Sequence, residues 1–122
     1  MTVTFQQLRA ANEARLHAWH GQEAMEGDVP QVWTLSDWGV AAAGEMGEAC
    51  NIIKKLNRYR DGLVGNKETK EELMVELGIE IADIVIYLDL LALAAGIDLG
   101  EQVVSKFNAV SKKHGFPQNL GE

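Results

Sequence analysis

Glu76 to Ala95 reads Glu-Leu-Gly-Ile-Glu-Ile-Ala-Asp-Ile-Val-Ile-Tyr-Leu-Asp-Leu-Leu-Ala-Leu-Ala-Ala. Wound at about 3.6 residues per turn, it places Leu77, Ile81, Ile84, Leu88 and Leu91 on one side. Val75, Ile79, Ala82, Ile86 and Leu93 fall on a second side, and between them runs one polar line, Glu72, Glu76, Glu80, Asp83 and Tyr87. A helix that is apolar on two sides is buried on two sides, so the pattern predicts a helix at the centre of a bundle or an oligomer. The carboxylate line is then either its wet face or a site.

The rest of the chain supplies helices to surround it. Phe5 to Trp19 carries a moderate apolar stripe of Phe5, Leu8, Leu16 and Trp19 and predicts a first helix. Gly21, Gly27, Asp28 and Pro30 predict a loop from Gly21 to Pro30. A second helix is expected from about Asp37 to Arg58, capped by Ser36 or Asp37. Gly62, Gly65, Asn66 and several charges predict a solvated loop from Asn57 to Lys70. Thr69 followed by Glu72 has the form of a capping box for the third helix, and Gly96 is placed to stop it. A fourth helix is expected from about Leu99 to Lys113, ended by Gly115 and Pro117. No strand pattern competes. The expected fold is an all-α four-helix bundle whose helices pair into a homo-oligomer.

Composition bounds the function. The 122 residues suit one domain with a proper core, and 47% hydrophobic residues exclude a disordered chain. No apolar run reaches the roughly 20 residues needed to span a bilayer. One cysteine, Cys50, cannot form an internal disulfide, and the N-terminus lacks a signal-peptide pattern, so the expected location is the cytoplasm. Lys and Arg number 11 against 18 Asp and Glu, a net charge of −7 that argues against a nucleic-acid polymer as partner. A small phosphorylated ligand stays compatible, since metal ions held by carboxylates reverse the local sign.

Glu45 and Glu48 project from one face of the second helix, one turn apart. Their neighbours on that face are Trp38, Ala41, Ala42, Ala49 and Ile52, a poor setting for charge. Burying carboxylates costs several kcal/mol unless a positive group meets them, and a metal ion is the simplest such group. Glu80 and Asp83 repeat the spacing on the third helix. Four carboxylates from two antiparallel helices can converge on one point, and hard oxygen ligands without His or Cys suit Mg²⁺, with Mn²⁺ as substitute. Mg²⁺ so held commonly also takes substrate phosphate oxygens, which points to phosphoryl transfer to water. A di-iron carboxylate site would need Glu-x-x-His pairs, and His17, His20 and His114 do not form one.

Gly44-Glu45-Met46-Gly47-Glu48-Ala49 followed by Glu80-Ile81-Ala82-Asp83-Ile84-Val85-Ile86-Tyr87-Leu88 resembles the MazG-like all-α nucleoside triphosphate pyrophosphohydrolases, which carry a Glu-x-x-Glu pair and then a Glu-x-x-Asp pair. The tail from Ser105 to Pro117 is also similar to the family's C-terminal segment. The resemblance covers Leu35 to Pro117, with residues 1–34 as a peripheral helix and loop of the same single domain (1–122). It implies Mg²⁺-dependent hydrolysis of a nucleoside triphosphate, expected to be a deoxynucleotide, to the monophosphate and pyrophosphate. A homodimer or homotetramer is implied as well. Glu45, Glu48, Glu80 and Asp83 would be the metal ligands, with Glu48 the candidate general base. Tyr87 matches an aromatic beside the nucleotide, and Lys106 a lysine that contacts phosphate. The family's Asn four residues after that lysine is Val110 here, which leaves Asn108 as the candidate substitute. The spacer from Glu48 to Glu80 is longer than in compact members.

Other residues stay open between two roles. Trp33 and Trp38 could stack on a base or belong to the core; Trp38 shares the face of Glu45. Lys54, Lys55 and Arg58 could neutralise a triphosphate or complement the helix dipole. Asp89 is expected at an interface or exposed, and Cys50 in packing. Two further functions fit the same residues: a phosphoribosyl-ATP pyrophosphatase, and a non-catalytic helical dimer that binds nucleotides.

Overall fold

The computed structural model describes residues 1–27 and 32–121 and contains four α-helices, with no strand among those residues. They are α1 (Phe5–Met25), α2 (Leu35–Arg60), α3 (Lys70–Ala94) and α4 (Leu99–His114). The all-α class expected from the periodicity is therefore observed. No described helix is long and apolar enough to cross a membrane.

Local chemistry explains where the helices start and stop. At α1 the Thr4 hydroxyl accepts from Gln7 N–H at 3.1 Å while the Gln7 side chain accepts from Thr4 N–H at 2.8 Å. This helix runs six residues past the expected end at Trp19. Gly21 does not break it, because one glycine among good helix formers costs only about 1 kcal/mol and Gln22, Glu23 and Ala24 carry the helix on. The part of the expected loop from Asp28 to Pro30 lies outside the described residues. The cap of α2 is Thr34, not Ser36 or Asp37. Asp37 occupies the third helical position and accepts from Thr34 N–H at 2.8 Å, so it completes the capping box. The Thr69 hydroxyl accepts from Glu72 N–H at 3.1 Å, and Gly96, at φ +70°, closes α3 with Ile97 N–H donating to Ala92 C=O at 2.8 Å.

The chain divides into two compact units: residues 1–31 with 92–122, and residues 32–91. In the first unit α1 packs on α4. Phe5 lies so close to Gly100 that a Cβ there would stand 3.1 Å from the Phe5 Cβ. Arg9 Nη2 donates to Ile97 C=O at 2.7 Å. Asn12 and Ser111 are buried in this unit.

In the second unit α2 and α3 run antiparallel, as the order of their contacts requires: Trp38 meets Tyr87 at one end, and Lys55 faces Glu76 at the other. The connector 61–69 was expected as a freely solvated loop; it is tied back to α2 instead. Arg58 donates to Val64 C=O, Tyr59 hydroxyl to Glu68 C=O, and Asn66 to Lys55 C=O at 2.8 Å. Lys55 Nζ pairs with Glu68 Oε1 at 2.7 Å. Leu73, Ala49, Ala42, Trp38 and Ile52 are the buried apolar residues nearest this arrangement in sequence. Two expectations fail here. Asp89 is 1% exposed and has an interaction partner, so it belongs to the interior of the chain. Cys50 is exposed, since Ala49 beside it takes the inward position.

Candidate functional site

Antiparallel pairing brings the two acidic motifs to one level. Glu45 on α2 and Glu80 and Asp83 on α3 each offer a carboxylate oxygen within 4.8 Å of the other two, and all three are half-buried. Three carboxylates at this range repel one another unless a proton or a cation joins them. The strain is visible at Glu80. Its carboxyl is held above the ordinary value of 4.5, first by a hydrogen bond shared with the Glu45 carboxyl, then by desolvation, and then by the charges of Glu45, Asp83 and Glu48. Its second oxygen, Oε2, is buried without a hydrogen-bond partner among the described residues. Three carboxylates so placed, one of them with a buried unpartnered oxygen, could hold a hard divalent cation.

Glu48 stands next to this cluster and not within it. It is exposed, acts on Glu80 through its charge, and lines a cleft of about 510 Å³ between α2 and α3. That volume lies in the range of small-molecule sites. On the α2 side Asn51, Ile52, Lys54 and Lys55 continue the cleft, and α3 contributes Glu76, Ile79 and Glu80. Glu76, on the polar line that the sequence left open between a wet face and a site, is exposed and forms part of this wall. Lys54, exposed, is among the residues that line the cleft.

The opposite end of the unit is aromatic. Trp38 is buried at 8% exposure, with its ring centroid 4.4 Å from that of Trp33 and 6.2 Å from that of Tyr87. Tyr87 is one turn beyond Asp83 and half-buried. Trp38 is thus a packed residue that buttresses Tyr87.

Lys106 and Asn108 belong to the other unit, on α4. Lys106 is exposed. The Asn108 side chain donates to Leu120 C=O at 3.0 Å and accepts from Leu120 N–H at 2.8 Å, so its amide is engaged in holding the C-terminal segment. Spacing alone missed the cleft residues Asn51 and Ile79, because a single helix face does not reveal which of its polar positions will oppose a partner helix. Asn51, three residues after Glu48, carried the only available signal.

No family model, curated protein or solved structure matches this chain.

Proposed function

We propose that the protein is a divalent-cation-dependent nucleotide pyrophosphohydrolase of the MazG-like kind, cleaving a nucleoside triphosphate, preferentially a deoxynucleotide, to the monophosphate and pyrophosphate. The observation that carries this is the convergence of Glu45, Glu80 and Asp83 from two helices, with Glu80 Oε2 buried and unpartnered. The resemblance of both motifs and of the tail to that family supports it.

In this mechanism Glu45, Glu80 and Asp83 would hold the metal, with Glu48 as the fourth carboxylate that the resemblance adds. Mg²⁺, with Mn²⁺ as substitute, would supply Lewis-acid polarisation of phosphate oxygens and a lowered pKa for bound water. Water attacks a phosphorus of the α–β anhydride in line with the bridging oxygen, the bridging P–O bond breaks, and pyrophosphate leaves. Glu48, exposed beside the cluster, accepts the proton of the attacking water. Lys54 adds a positive charge to the cleft wall, while Trp38 packs against Tyr87, which the resemblance assigns to the substrate. Lys106 is assigned to phosphate by resemblance alone. Asn108 is the weaker substitute for the family's asparagine, since Leu120 already engages both ends of its amide.

The chain works as a homo-oligomer in this proposal. Met74, Gly78, Ile81, Val85 and Leu88 recur at alternating steps of four and three along α3, the spacing of a coiled-coil seam. The four large members are 52%, 51%, 40% and 41% exposed. Pairing of this seam with its copy would bury it and double the helix pair into a four-helix bundle.

The deciding experiment incubates the protein with each dNTP and NTP, and with phosphoribosyl-ATP, in Mg²⁺ or Mn²⁺, and follows pyrophosphate release. Release from a nucleoside triphosphate is the expected result. Release from phosphoribosyl-ATP alone would reassign the substrate, and nucleotide binding without turnover would leave a binding protein.

A further inference from the structure

The cleft beside the carboxylates has a chemistry of its own. Its charged groups are Glu48, Glu76 and Glu80 against Lys54 and Lys55, and the Lys55 ammonium is already paired with Glu68 at 2.7 Å. A triphosphate tail gains little from such a balance. A neutral, flat group gains more: Ile52 on α2 and Ile79 on α3 offer apolar surface from both sides. On the other side of the carboxylates Trp38 is 8% exposed and packs against Trp33 and Tyr87. Asn51 lies six residues after Glu45, about 9 Å along the helix, a separation that a nucleoside can span. No described residue engages the Asn51 side-chain amide, which is exposed and lines the cleft one turn after Glu48.

We infer that this cleft receives the nucleobase and that Asn51 reads the base edge, which makes it a specificity-determining residue. The inference rests on the nucleotide reading of the carboxylate site. A carboxamide presents two donors and one acceptor, so it pairs with a base edge carrying an adjacent donor and acceptor. A carboxylate only accepts. Replacing the amide by a carboxylate therefore discriminates between bases by the sign of their edge groups: the exocyclic amino groups of cytosine and adenine still donate to it, and the O4 carbonyl of thymine and uracil is repelled. Lys55, paired with Glu68, also lines the cleft.

The test uses the full chain and two readouts. The first is kcat/KM across the four dNTPs and dUTP with Mg²⁺; the second is calorimetric binding of the corresponding monophosphates, which needs no turnover. Asn51→Asp is expected to shift the ratio of cytosine and adenine nucleotides to thymine and uracil nucleotides by about tenfold or more in both readouts. Asn51→Ala should flatten that ratio. Asn51 is exposed on a long helix, so neither substitution threatens the fold, which circular dichroism verifies. A uniform change across all bases overturns the inference, as does a base preference altered by Trp33→Ala and untouched by Asn51→Asp. Failure of either variant to shift the monophosphate series also overturns it. Base-selective binding without any turnover supports the cleft assignment while refuting hydrolysis, and turnover that ignores Asn51 does the reverse.

Discussion

Glu45 and Glu80 face each other across the α2–α3 pair with carboxylate oxygens no more than 4.8 Å apart, and Glu80 Oε2 is buried without a hydrogen-bond partner. Two acids this close cannot both ionise comfortably unless a cation sits between them. The pair therefore stores an unfavourable interaction in the metal-free chain that a ligand can relieve.

Metal binding should stabilise the fold. A cation that binds the folded state and not the unfolded one adds about 2.7 kcal/mol at a concentration one hundred times its dissociation constant. Thermal melts in Mg²⁺ against EDTA should show a higher midpoint with metal, and Glu80→Ala should lose most of that gain. Identical melts in the two conditions would remove the metal from the site.

The metal-free protein should respond to pH through Glu80. Its folded-state pKa is raised above the ordinary value of 4.5, chiefly by the bond with Glu45, so the folded chain binds a proton more tightly than the unfolded one. That contribution is fully present below 4.5 and is lost as pH rises through the folded value. Glu80→Gln mimics the protonated acid, so in EDTA it should melt above the parent at neutral pH, with the difference vanishing as pH falls below 4.5. A difference independent of pH would mean that Glu80 does not carry the effect.

Glu48→Gln separates catalysis from folding. Removing the general base should lower kcat by about a hundredfold or more. Loss of one negative charge beside Glu80 should leave the metal-free melting temperature equal or higher. Pyrophosphate release and a thermal melt measure the two effects, and a variant as active as the parent takes Glu48 out of the mechanism.

Gly65 bears on the connector. It holds φ +115°, and an added Cβ would lie 3.1 Å from Arg58 Nη2, the group that bonds Val64 C=O. Gly65→Ala should destabilise by about 1–3 kcal/mol, as strained backbone does, in chemical denaturation. Asn66→Ala should cost about 1 kcal/mol by freeing Lys55 C=O.

Self-association depends on the exposed seam. Val85→Lys places a charge among Ile81 and Leu88, both more than 40% exposed in the single chain. Light scattering should show the variant as a monomer where the parent is larger. A parent that is monomeric at all concentrations would end the oligomer proposal.

The α-helical class, the termini of α3, the end of α4 and the two acidic pairs were legible in the sequence, because periodicity of apolar residues, Thr69, Gly96 and Gly115 act within a few residues of chain. The full length of α1 was not, since Gly21 is a breaker only where its neighbours disfavour helix. The Thr34–Asp37 box was misassigned because both Ser36 and Asp37 are also good caps, and only the backbone geometry selects among them. What tertiary structure alone decided was which polar residues oppose each other across α2 and α3. It joined Glu45 to Glu80 and Asp83, put Glu48 and Glu76 on a cleft, packed Trp38 behind Tyr87, and buried Asp89. A helix defines its own faces through about 3.6 residues per turn; its register against another helix follows from the connector and from side-chain packing. That register is where the site acquires its charge, its volume and its chemistry.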